Sequence, residues 1–159
     1  MENLVWAFIK ITKYLLLIIF LISIPTRVSS LPQLSFRQKL IQYERLLEKH
    51  FNLDKGTLRT VRKIEGHRAN QVVYLKNGSC DVGLYAIHIP NCDKSNKAAQ
   101  WFIETMKNPW AAAARSAEIL RNSSLLCKKN KKCTCKYHYY NPGSNNRWCR
   151  KYNEIQNRN

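Results

Sequence analysis

The residue best placed by its neighbours to do chemistry is Glu65. Leu58, Val61 and Ile64 recur at helical spacing, and Glu65 lies seven residues after Leu58 and four after Val61, so it shares their inward face at the end of a helix stopped by Gly66. Burial disfavours a carboxylate, and the negative end of the helix dipole adds to that, so the pKa of Glu65 is expected to rise. A carboxylic acid still protonated near neutral pH is what a general acid requires. The competing use of such a side chain is a structural ion pair with Arg62, Lys63 or Arg68. Other chemistries find less footing. No Gly-x-Ser-x-Gly elbow is present, and His50, His67, His88 and His138 share no spacing that suggests a metal. A zinc site built from Cys127, Cys133, Cys135, Cys149 and His138 would need a Cys-Thr-Cys spacing unlike the usual gap of two to four residues, so no metal and no cofactor are expected.

The elements that must position Glu65 follow from periodicity. The chain has 159 residues, enough for one domain. Phe36, Leu40, Tyr43, Leu47 and Phe51 form one apolar helix face between Ser35 and Phe51, and Asp54 is expected to cap the helix that carries Glu65. Next, Gln71 to Leu75 and the run through Val82, Leu84, Ile87 and Ile89 flank Asn77-Gly78, a strong hairpin signal. Ser95 or Asn96 then caps a helix through Ala99, Phe102, Ile103 and Met106. Asn108-Pro109 opens another, with the face Trp110, Ala113, Ala114, Ala117 and Leu120. Trp148, Tyr152 and Ile155 fit a last short helix. The expected fold is mainly α, a helical domain with a small β-hairpin after the helix that carries Glu65.

The N-terminus reads as a secretory signal. Lys10 and Lys13 precede the apolar stretch Tyr14 to Pro25, and Val28-Ser29-Ser30 offers small residues for cleavage. The stretch is short for a bilayer span, although Val5 to Ile9 could lengthen it into an uncleaved membrane anchor. Residues 1–30 are therefore set apart from a domain at 31–159, which is secreted or periplasmic. In an oxidising compartment six cysteines in a domain of this size favour disulfides, and fifteen pairings are open. Cys80 and Cys92 bracket one loop region, while Cys149 closes a segment opened by Cys127, Cys133 and Cys135.

Net charge is +17, and removal of residues 1–30 leaves 24 bases against nine acids, so the basicity belongs to the domain. Ten bases and one acid fall within 121–159, among the aromatic residues Tyr137, Tyr139, Tyr140 and Trp148. This composition suits a polyanionic partner. Nucleic acid fits the charge but not the export, and a membrane contact is expected only through an uncleaved N-terminal segment.

In order and spacing, several motifs resemble the lysozyme-like superfamily, most closely the small exported lytic transglycosylases of the soluble-lytic-transglycosylase type. Glu65-Gly66 is similar to that family's Glu-Ser motif. Asn77-Gly-Ser-Cys-Asp-Val-Gly-Leu-Tyr-Ala-Ile-His88 is similar to its hairpin and Gly-Leu-x-Gln-Ile-Asn motif, Asn108-Pro109 opens the next family helix, and Tyr140-Asn141-Pro142-Gly143 is similar to its Tyr-Asn-x-Gly motif. The likeness runs from about Leu53 to Tyr152.

The resemblance implies an α+β lysozyme-like fold and cleavage of the β-1,4 bond between N-acetylmuramic acid and N-acetylglucosamine in peptidoglycan, with a 1,6-anhydro product. It makes Glu65 the catalytic acid and base, Tyr140 the residue that positions it, and Gly83, Leu84, Tyr85, Ile87, His88 and Asn141 substrate-binding residues. Asp81 stands where animal lysozymes carry a second carboxylate, which would make the enzyme a hydrolase; the alternative is that it hydrogen-bonds its own hairpin. Such enzymes often serve a secretion or conjugation apparatus. Tyr74, Tyr85, Tyr137, Tyr139 and Trp148 are candidates to stack on sugar faces, the alternative for Trp148 and most of the tyrosines being burial in the core. Gly66 replaces the family serine, Ala86 the glutamine and His88 the asparagine. Each lost hydrogen bond costs ~0.5–1.5 kcal/mol, so a catalytically impaired cationic glycan-binding or antibacterial protein is the remaining expectation.

Overall fold

The computed structural model describes residues 33–130, 133–141 and 145–158, so the N-terminal signal or anchor, Lys131, Lys132 and the turn Pro142 to Ser144 lie outside the described residues. All described elements fall within Leu34–Asn159. Helices α1 (Phe36–His50) and α2 (Thr57–Glu65) precede strands β1 (Val72–Tyr74), β2 (Cys80–Val82) and β3 (Ile87–Ile89). Helices α3 (Lys97–Lys107) and α4 (Pro109–Lys129), a 3₁₀ turn (His138–Tyr140) and α5 (Asn145–Gln156) complete the domain. The protein is mostly helical with a small antiparallel sheet. Among the described residues no helix is long and apolar enough to cross a membrane.

Three of the helix starts have a local cause. Ser35 and Gln38 form a reciprocal capping box at α1. Asn96 accepts the Ala99 N–H at 3.1 Å, and Asn108 accepts from Trp110 and Ala111 ahead of the 21-residue α4, where Pro109 supplies a fixed φ. Helix α2 departs from expectation. Its N-cap is Gly56, in a left-handed conformation without a side-chain cap. The orphan amides of Gly56 and Leu58 instead donate to the two carboxylate oxygens of buried Glu48, each at 2.8 Å. The Asp54 carboxylate accepts from Lys136 Nζ (2.7 Å) and the Tyr137 hydroxyl (3.2 Å), which ties the loop before α2 to the chain 82 residues later.

The apolar face of α1 is also more selective than its periodicity suggests. Leu40 is buried, but Phe36 is exposed and meets Trp110 edge to face. Two acids share the buried face: Glu44 and Glu48 are 2 % and 4 % exposed. Glu44 binds Arg62 through Nε (2.9 Å) and Nη2 (3.2 Å) and accepts the Tyr85 hydroxyl at 2.6 Å. This unit joins α1, α2 and the β2–β3 turn.

The β element is three-stranded rather than a single hairpin, in the order β1-β2-β3. In its register Asp81 stands opposite Val73 and His88. Strand period two sends Cys80, Val82, Ile87 and Ile89 into the core and Asp81 with His88 to the other face. Gly83 follows β2 at φ +73°; a Cβ there would lie 2.3 Å from the Met106 carbonyl oxygen, so the close approach of α3 to the sheet requires glycine. The core gathers Leu58, Val61, Ile103, Met106, Ala113, Leu120, Tyr137, Trp148 and Tyr152 with the inward strand residues.

All six cysteines are paired, as Cys80–Cys92, Cys127–Cys133 and Cys135–Cys149. The first joins β2 to the segment just after β3. The third fastens the 3₁₀ turn region to α5. With those sulfurs consumed, the Cys/His zinc alternative has no thiolates.

Candidate functional site

A cleft of about 330 Å³ opens between the end of α2, the outward face of the sheet and the 3₁₀ turn; its walls include Glu65, Asp81, Ala86, His88, Tyr140 and Asn141. Its size lies within the range of small-ligand pockets, roughly 300–1,000 Å³. Glu65 arrives there because α2 ends on it, and Gly66 takes the left-handed C-cap and returns its N–H to the Arg62 carbonyl. Nothing lies within 4 Å of a Cβ built on Gly66, so its φ of +65° rather than crowding disfavours a serine.

Glu65 is half-buried, and the Arg62 guanidinium beside it on α2 is given to Glu44. Its Oε1 accepts the indole Nε1–H of Trp148 at 2.8 Å. Burial raises the carboxyl from 4.5 to about 6; the charge of Asp81 pushes the same way, and the Trp148 donor and Lys151 oppose it. The expected raised acid is therefore present, with desolvation as the main cause.

Trp148 is itself fixed. It is 3 % exposed and lies between Tyr140 and Tyr152, at centroid distances of 5.2 and 5.4 Å. The Tyr140 hydroxyl donates to the Tyr85 carbonyl at 2.7 Å and pairs with Ser116 at 3.0 Å. Burial and then the Glu65 charge raise its phenol pKa, so it stays protonated.

Across the cleft, Asp81 Oδ1 meets His88 Nδ1 at 2.9 Å, with side-chain exposures of 29 % and 51 %. The Asp81 carboxylate thus bonds the adjoining strand of its own small sheet. Ala86, where the resemblance places a glutamine, adopts φ +47° and leaves a methyl on the wall. That left-handed backbone costs about 1–2 kcal/mol for a non-glycine residue.

The sequence-derived set divides accordingly. Glu65, Asp81, His88, Tyr140 and Asn141 meet in one cleft. Gly83 and Ile87 are buried, and Leu84 packs on the core, so these three shape the cleft from behind. Tyr85 is fully buried and bonded to Glu44, which corrects its reading as a substrate-binding or sugar-stacking side chain. The same correction applies to Tyr137 and Trp148, at 0 % and 3 % exposure. Tyr74 stays exposed, and Tyr139 is half-buried.

A larger concavity, about 460 Å³, lies on α1, α2 and α5 beside Glu44 and Glu48, but both carboxylates are committed to the hydrogen bonds described above. Sequence reasoning missed Trp148 as the partner of Glu65 and Leu75 as part of the wall. An indole at a helical apolar position carries no signal of which acid, 83 residues earlier, its N–H will meet.

The chain matches no protein-family model, no curated protein and no solved structure.

Proposed function

We propose that this is an exported, lysozyme-like domain that cleaves the β-1,4 bond between N-acetylmuramic acid and N-acetylglucosamine in peptidoglycan, as a lytic transglycosylase with Glu65 as its acid. The observation that carries the reading is a half-buried carboxyl, raised to about 6, whose orientation is set by an indole donor on the wall of an open cleft. A group in that state supplies a proton near neutral pH to the glycosidic oxygen. As the bond breaks, positive charge develops at the anomeric centre. The muramoyl 6-hydroxyl then closes the 1,6-anhydro ring.

The order of elements supports the same reading: a helix ending on an acid, then a small antiparallel sheet, then further helices. The three disulfides fit an oxidising compartment. The +17 charge favours a polyanionic wall as partner.

Asp81 also gives a second reading its footing. A carboxylate in the Glu65 cleft suits a lysozyme-type hydrolase. Mass spectrometry of the products from purified peptidoglycan decides between them. A 1,6-anhydro terminus is the expected result, and a reducing terminus as the main product would establish hydrolysis instead. No release above that of Glu65→Gln would leave a cationic wall-binding protein.

A further inference from the structure

Resting on the glycan-cleaving reading, we propose that His88 is a second catalytic residue, the base that takes the proton of the attacking hydroxyl, with Asp81 as the residue that orients its ring. The placement comes from the sheet. Asp81 and His88 are direct cross-strand partners in the β2–β3 register, so both project to the cleft face while their neighbours Cys80, Val82, Ile87 and Ile89 face the core.

The 2.9 Å contact between Asp81 Oδ1 and His88 Nδ1 places the ring proton on Nδ1 when the imidazole is neutral, because the carboxylate can only accept. Nε2 is then left with its lone pair. It has no hydrogen bond to a described residue, and the ring is half exposed on the wall of the cleft that holds Glu65. A carboxylate, an imidazole oriented by it and an opposing protonated acid form a complete acid and base pair.

The step balances as follows. Glu65 gives its proton to the glycosidic oxygen as the C1–O4 bond breaks. The muramoyl 6-oxygen bonds to C1, and its proton passes to His88 Nε2. The resulting imidazolium is neutralised by Asp81, and Glu65 is left as a carboxylate. Solvent restores both groups: Glu65 regains a proton and His88 loses one. The duty that a single glutamate would perform twice is thereby divided between two walls, and Asp81 acts through the imidazole.

The test follows muropeptide release from purified peptidoglycan by the wild type, E65Q, H88A, D81N and the D81N/H88A double variant. His88→Ala should lower kcat about 10²–10⁴-fold with KM little changed. Added imidazole should restore about tenfold or more, because the vacated wall position is open to solvent. Asp81→Asn should lower kcat in the wild type and cause no further loss in the H88A background, since the two residues act as one unit. H88A at wild-type kcat, or a loss that imidazole does not relieve, overturns the proposal. So does a further loss from D81N in the H88A background, which would give Asp81 a role of its own. Glu65-dependent release that ignores H88A removes this inference alone; wild-type release no greater than that of E65Q removes the glycan-cleaving reading as well.

Discussion

Replacing Glu65 by Gln should change the pH dependence of stability before any substrate is added. Glutamine keeps an oxygen for the Trp148 donor and removes the titration. In the fold the carboxyl moves from 4.5 to about 6, chiefly through burial. At 1.36 kcal/mol per unit that difference amounts to about 2 kcal/mol, and partial solvent access to a half-buried group reduces it to about 1–2 kcal/mol. The native state binds this proton more tightly than the unfolded chain. The contribution of Glu65 to stability is therefore complete below about pH 4.5 and is lost as pH rises through about 6. The glutamine variant does not suffer that loss. Unfolding by urea or heat, with disulfides intact, is to be compared at acid and neutral pH. Relative to wild type, the variant should gain about 1–2 kcal/mol between about pH 4 and pH 7.5, seen as a relative rise of about 3–8 °C in Tm. A stability difference that is the same at both pH values would mean that Glu65 titrates as in water, and would refute the argument for a raised acid.

Trp148→Phe keeps a ring between Tyr140 and Tyr152 but removes the donor that lowers the Glu65 pKa. A hydrogen bond to a charged group is worth about 1.5–3 kcal/mol, so the alkaline limb of kcat/KM on peptidoglycan should move up by about one to two units; an unmoved limb would contradict the assignment. Gly83→Ala must displace the Met106 carbonyl and hold a positive φ, so a loss of about 2–4 kcal/mol in urea unfolding is expected. Glu48→Gln leaves one oxygen for the two amides of Gly56 and Leu58, which should cost about 1–2 kcal/mol and accelerate hydrogen exchange at the start of α2.

Local signals made much of this molecule legible in its sequence. The spacing of Leu58, Val61 and Glu65 placed an acid on an inward face, and the environment then raised its pKa as burial requires. Asn96 and Asn108 bond the first turns of α3 and α4, as short polar side chains at such positions do. What escaped was long-range. Glu44 follows Leu40 by four residues and lies on the same face, yet its acceptability there depends on Arg62 and Tyr85, the latter 41 residues away. Asp54 looked like a helix cap, but Lys136 and Tyr137 claim its carboxylate and Glu48 supplies the cap. The third strand escaped for a different reason. Val82 to Ile89 reads as one apolar run, and the chain reversal around Gly83 and Ala86, both at positive φ, has no two-residue turn signature to mark it.

The shared hydrogen bonds of Glu44 set a lower limit on how far this protein can be trimmed. The motifs that suggested a family begin near Leu53, after α1 has ended. A fragment starting there would lose both buried glutamates, stranding the Arg62 guanidinium and Tyr85 hydroxyl without their acceptor and leaving the first amides of α2 uncapped. Helix α1 therefore behaves as an internal strut for α2. The smallest autonomous piece is longer than the stretch of likeness, and a minimal expression fragment should begin ahead of Ser35, where the capping box of α1 starts.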